Sequence, residues 1–171
     1  MKTKPAIYNL VTAAVFAAII FLTTAYLFHI PTGFNGGYIH LGDTFVYLVA
    51  CILPTPYAMA AASIGAALSD GLTGSAIYVI PTLIIKAILV LYFTSKSSNI
   101  INKRNIVALF LAGITGLLGY YLAESIMFHN FIAPLFEIPI GSIQPIASGI
   151  LFVVVGMSLD KSGLKKRIDK F

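Results

Sequence analysis

Asp43, Asp70, Glu124, Gln144 and Lys86 are polar side chains set in stretches that are otherwise apolar. Carboxylates accept hydrogen bonds or move protons, an amide donates and accepts, and an ammonium offers donors and a charge. Inside a hydrocarbon layer each charge costs roughly 2.5–3.5 kcal/mol on insertion scales, so it must face a cavity or a partner. Just ahead of these residues runs T-G-F-N-G-G-Y-I-H-L-G-D, from Thr32 to Asp43. Gly33, Gly36 and Gly37 give that backbone access to φ > 0, so it can fold tightly over something. Phe34 and Tyr38 offer flat faces, and Asn35 and His40 offer donors and acceptors. The stretch reads either as the lid and rim of a small-molecule site or as an ordinary glycine-rich turn between helices.

Lys86 has two readings as well. It pairs with one carboxylate and ties helices together, or it reaches a ligand. It cannot neutralise Asp43, Asp70 and Glu124 together. The excess acid then complements a ligand carrying donor groups or a positive charge, or part of it is protonated. His29 and His40 suit capping and hydrogen bonding better than metal ligation, and no Cys or His spacing of ligand type occurs, so no metal site is expected. No cofactor is implied. Enzyme signatures are missing: there is no Gly-x-Ser-x-Gly, no His-Glu-x-x-His and no Gly-x-x-x-x-Gly-Lys, so no catalytic residue is assigned and ATP has no recognised binding loop.

The elements that must position these groups are membrane helices. Of the 171 residues, 58% are hydrophobic and 10% charged, with a mean hydropathy of +0.94; soluble domains carry about 25% charged residues. Too little polar surface exists to cover a water-soluble globule. The single Cys51 lies in an apolar run, which excludes a disulfide framework within the chain. One membrane domain over 1–171 is expected, with spans near 7–28, 41–53, 57–72, 76–93, 106–128 and 141–159. The first run exceeds the usual h-region of about 7–15 residues and no small-x-small site closes it, which argues against a signal peptide. The second span is short and is expected to extend upstream. Pro54-Thr55-Pro56 breaks it from the third, and Pro81 is expected to kink the fourth.

The net charge of +5 does not mark a nucleic-acid face. Lys2 and Lys4 precede the first span, Lys96, Lys103 and Arg104 fall in one linker, and Lys161, Lys165, Lys166, Arg167 and Lys170 follow the last span. With an N-terminus in the cytoplasm, every basic residue but Lys86 lies inside. The expected architecture is therefore an all-α integral membrane protein of six transmembrane helices with both termini cytoplasmic. In that count Asp43, Asp70, Glu124 and Gln144 converge with the lid on the outer half of the bundle, and Lys86 sits near mid-depth. Ala13, Ala14, Ala17 and Ala18 form two overlapping Ala-x-x-x-Ala pairs on the first helix. Such pairs permit close helix approach, either within the chain or to a partner subunit.

Several stretches together resemble one family. They are Ala13 to Ala18, G-G-Y-I-H-L-G-D at 36–43, the stretch ending S-D-G-L-T-G at 61–74, and P-T-L-I-I-K in the fourth helix. Over nearly its whole length the chain resembles the substrate-specific S components of energy-coupling factor (ECF) transporters. The resemblance implies a membrane protein that binds a vitamin or related micronutrient from outside, in the plasma membrane of a prokaryote. It implies a transmembrane coupling subunit and two cytoplasmic ATPase subunits as partners, with the S component toppling in the bilayer as ATP is hydrolysed. It also implies that Ala13, Ala14, Ala17 and Ala18 face the coupling subunit and that Gly33 to His40 close over the substrate. The nearest branch is that of riboflavin-type, hydroxymethylpyrimidine or pyridoxine, and queuosine-precursor S components. With no Trp, a ring must stack on Tyr or Phe. The acidic excess favours a queuosine precursor or similar N-heterocycle, with hydroxymethylpyrimidine, pyridoxine or riboflavin as alternatives. The expected substrate-binding set is Asn35, Tyr38, His40, Asp43, Asp70, Lys86, Glu124 and Gln144. The competing reading is a small intramembrane enzyme, or a scaffold, using Asp43, Asp70 or Glu124.

Overall fold

A computed structural model describes residues 6–27, 29–31, 38–163 and 165. The first helix, α1 (Ala6–Ala25), is an apolar run free of Gly and Pro, so nothing interrupts its backbone ladder. After it, β1 (Ile30–Pro31) pairs antiparallel with β2 (Tyr38–Ile39), Ile30 opposite Ile39 and Pro31 opposite Tyr38. The expected loop is thus a small β-ribbon at its base. Its tip, including Asn35 and the glycines at 33, 36 and 37, lies outside the described residues.

Helix α2 (Asp43–Ile52) does not extend upstream; Gly42 is its N-cap residue, and the Gly42 N–H donates to His40 Nδ1 at 3.0 Å. A Cβ on Gly42 would collide with Thr24 Oγ1, so the close approach of α1 and α2 requires glycine there. Leu53 is extended, as the residue before Pro54 should be. Helix α3 (Thr55–Leu72) carries Pro56 in its first turn, where a missing N–H leaves no bond unmade. A single 3-10 turn, Ala76–Tyr78, leads into α4 (Val79–Tyr92). Pro81 falls in the first turn of α4, not at an internal kink, for the same reason. Helix α5 (Lys103–Met127) begins inside the expected polar linker, because the Asn102 side chain accepts the Asn105 N–H at 3.0 Å and caps it. The expected loop at 129–140 contains a 3-10 turn (Ala133–Glu137) and α6 (Ile138–Gly141), followed by α7 (Ile143–Ser162). Gly163, at φ 66°, closes α7 in the left-handed conformation.

Helix α3 packs between α1 and α4, α4 continues onto α5, and α2 lies against α3 and α7. A Cβ on Gly65 would sit 2.5 Å from the Ala17 carbonyl oxygen, so α1 and α3 touch backbone to backbone. Tyr47, Phe93 and Phe152 form an aromatic cluster, with ring centroids 5.1, 5.9 and 6.1 Å apart.

The solvent order of a soluble protein is inverted. Leu10, Val11, Ile84, Phe110, Ile150 and Val154 are exposed, while Asp43, Asp70, Lys86 and Glu124 are buried. A continuous apolar exterior of this kind suits lipid. The segments Ala6–Ala25, Lys103–Met127 and Ala133–Ser162 are long and apolar enough to cross a membrane, and Asp43–Ile52 and Ala76–Tyr92 are shorter apolar helices. The chain is an all-α membrane protein.

Candidate functional site

The polar residues meet at one end of the bundle. Asp43 opens α2, where the helix N-terminus favours a carboxylate. Its Oδ1 lies 2.5 Å from Lys86 Nζ, midway along α4, and both side chains are buried. Its Oδ2 accepts a hydrogen bond from Gln144 Nε2, at the start of α7, at 2.8 Å. One carboxylate therefore ties α2 to α4 and to α7. Gln144 Oε1 in turn accepts from the His40 backbone N–H at 3.4 Å, which connects the ribbon to the same network. Lys86 Nζ also stands 5.5 Å from the ring centroid of Tyr120.

His40 is buried just before α2. Its Nδ1 accepts the Gly42 N–H at 3.0 Å, so that nitrogen carries no proton. Burial pushes the His40 pKa down to about 4; Asp43 opposes the shift and Lys86 adds to it. The ring is neutral at pH 7. Tyr38, on β2, stacks on His29 at 3.9 Å between centroids and donates its hydroxyl to Asp70 Oδ1 at 2.6 Å. Burial, and then the Asp70 charge, push the Tyr38 hydroxyl above its ordinary range, which keeps it a donor. Glu124 lies in the last turn of α5, where the helix end works against a carboxylate, and accepts the Tyr78 hydroxyl at 3.0 Å. The Thr82 and Tyr120 hydroxyls pair at 2.9 Å.

A cavity of about 130 Å³ opens among these groups. One water needs roughly 10–15 Å³, so the space suits a small organic molecule. Tyr38, His40, Asp43, Asp70, Lys86, Glu124 and Gln144 all line it. Asn35 lies outside the described residues. Among the described residues no cluster of His, Cys, Asp and Glu could hold a metal ion.

Sequence reasoning missed Tyr47, Tyr78, Tyr120 and Tyr121 as lining residues, along with Glu137 and the α5 glycines Gly113 and Gly116. With no Trp in the chain, aromatic lining had to come from Tyr, Phe or His; which tyrosines line the cavity was not readable. Tyr120 stands one helical turn before Glu124, a spacing that could have drawn attention to it. Gly116 meets nothing within 4 Å of an added Cβ, so it opens the wall of the cavity instead of packing a helix.

The four alanines of α1 divide between two faces. Ala13 is buried in the core and Ala17 packs against it beside Gly65, so these two serve internal packing. Ala14 and Ala18 are exposed on the opposite face, in line with Ile7, Val11 and Leu22.

These features define a class: an all-α membrane protein with a polar cavity enclosed by its helices. The family model described as "ECF-type riboflavin transporter, S component" matches residues 4–161, and the chain belongs to that family. The family comprises membrane-embedded transport subunits that work with ECF module subunits and a small-molecule substrate. Neither a curated protein nor a solved structure matches the chain.

Proposed function

We propose that the chain captures a planar N-heterocyclic micronutrient from outside a prokaryotic cell and delivers it inward as part of an ECF-type importer. Ala14 and Ala18 meet a transmembrane coupling subunit, and two cytoplasmic ATPases drive the cycle. The observation that supports capture best is the cavity itself: polar side chains from β2, α2, α3, α4, α5 and α7 converge on one space inside an apolar exterior. Charges so placed are costly in a bilayer and are retained where they serve a ligand or each other. Five tyrosines on the lining supply flat faces for a ring. The basic residues support six spans with both termini inside, which puts the cavity at the outer end.

A queuosine precursor or similar nucleobase-like compound fits the acidic lining. Riboflavin is the second reading, because it is the substrate in the family's own description. Native mass spectrometry of the protein purified from cells grown on rich medium tests the proposal. A co-purifying heterocycle, and its ATP-dependent uptake only when the coupling subunit and ATPases are co-expressed, is the expected result. Turnover of that compound by the isolated chain would favour an intramembrane enzyme instead.

A further inference from the structure

Asp70 differs from the other carboxylates of the cavity. It is 5% exposed, it lines the cavity, and its Oδ2 has no hydrogen-bond partner. The Tyr38 hydroxyl is engaged with Oδ1 of the same carboxylate and Lys86 with Asp43, while Thr82 and Tyr120 share one hydrogen bond that commits only one of their two hydroxyl protons. A buried carboxylate oxygen left without a donor is costly, so a ligand that offers a donor there gains affinity. The charge balance says what kind. Among the described residues, Asp43, Asp70, Glu124 and Glu137 line the cavity against Lys86 alone, and Lys86 is paired with Asp43. His40 is neutral and its Nδ1 is occupied as an acceptor.

We propose that Asp70 is the specificity-determining carboxylate of this cavity, accepting at Oδ2 a hydrogen bond from an exocyclic amino group on the bound heterocycle. The inference rests on the cavity being the substrate site. Asp43 then holds the frame through Lys86 and Gln144, while Asp70 selects the ligand. A ligand without an amino group leaves Oδ2 unpaired, and discrimination of that kind is strong because the penalty falls on a buried charged group. A hydrogen bond to a charged group corresponds to roughly a 10- to 150-fold change in affinity.

The test uses titration calorimetry on the full chain in detergent with matched probes. They are 4-amino-5-hydroxymethyl-2-methylpyrimidine and its 4-deamino counterpart, 7-methyl-7-deazaguanine and its 2-deamino counterpart, and riboflavin. Wild-type protein should bind the amino member of at least one pair roughly 10- to 150-fold more tightly than its partner. Asp70→Asn should bring that ratio close to one, since an amide then meets the amine donor to donor. Tyr92→Phe, which removes a hydroxyl paired with Thr115 away from the cavity lining, should retain the ratio. Equal binding of both members of every pair, a ratio unchanged in Asp70→Asn, or riboflavin binding more tightly than every amino probe each overturns the assignment. Those outcomes leave substrate capture standing, because a heterocycle still binds. Failure of every probe, together with a native mass spectrum free of small molecules, removes both.

Discussion

Lys86→Met tests the central ion pair. Lys86 and Asp43 are both buried, 1% and 5% exposed at their side chains, and their charged atoms are 2.5 Å apart. Removing the ammonium leaves the Asp43 carboxylate with Gln144 Nε2 as its side-chain donor, at 2.8 Å. Breaking one partner out of a buried pair costs about 3–5 kcal/mol, most of it the penalty of the stranded charge. For a chain of this length each kcal/mol moves the melting midpoint by about 2–4 °C, so Lys86→Met should melt about 6–20 °C below wild type. Asp43→Asn strands the ammonium and should fall by a comparable amount. The double variant Lys86→Met/Asp43→Asn removes both charges, and Asn still offers an acceptor to Gln144, so it should recover most of the loss. Thermal unfolding in one detergent, followed by intrinsic tyrosine fluorescence, gives all four corners of the cycle. A Lys86→Met protein that melts with wild type refutes the reasoning. So does a double variant that loses the sum of the two singles.

Three further perturbations address separate parts of the molecule. Ala14→Leu or Ala18→Leu should abolish uptake while leaving ligand binding and melting temperature intact, whereas Gly65→Ala should lower the melting temperature, because its Cβ would sit 2.5 Å from Ala17 O and overpacking costs about 1–3 kcal/mol; equal loss of binding in the Ala14 variant would move that face into the protein's own packing. His40 has a folded pKa of about 4, below the ordinary 6.5, so the unfolded chain binds the extra proton between those values and stability is lost as pH falls through that window. The drop from pH 7 to pH 5 should be about 2 kcal/mol, and His40→Asn should flatten it; an unchanged slope in that variant would assign the acid sensitivity to another group. In a Cys51→Ala background, cysteines at Ala76 and Ala133 should react with an impermeant reagent added outside cells and one at Ser98 should not; outside labelling of Ser98 would invert the topology read from the basic residues.

Membrane residence, the helical class and the family were legible in the chain because each depends on local composition or on contiguous residues. Long apolar runs, ten basic residues outside them and the G-Y-I-H-L-G-D and S-D-G-L-T-G stretches need no knowledge of packing. Counting along each helix brought Asp43, Asp70, Glu124 and Gln144 near one another, and all four line one cavity. Helix ends were less legible, because hydropathy marks where a chain is apolar, while a cap such as Asn102 decides where it turns. Partner choice required the tertiary structure. Lys86 had three carboxylates within reach of a depth count, and the packing of α2 beside α4 and α7 joined it to Asp43, 43 residues away, and Asp43 to Gln144, 101 residues away. The same is true of α1, where an almost uniformly apolar helix has no inward stripe to read; contact with Gly65 turned Ala13 and Ala17 in and left Ala14 and Ala18 out. It is true also of Asp70, whose Oδ1 meets Tyr38 from the ribbon while its buried Oδ2 meets no donor, a condition that helix and ribbon packing sets together.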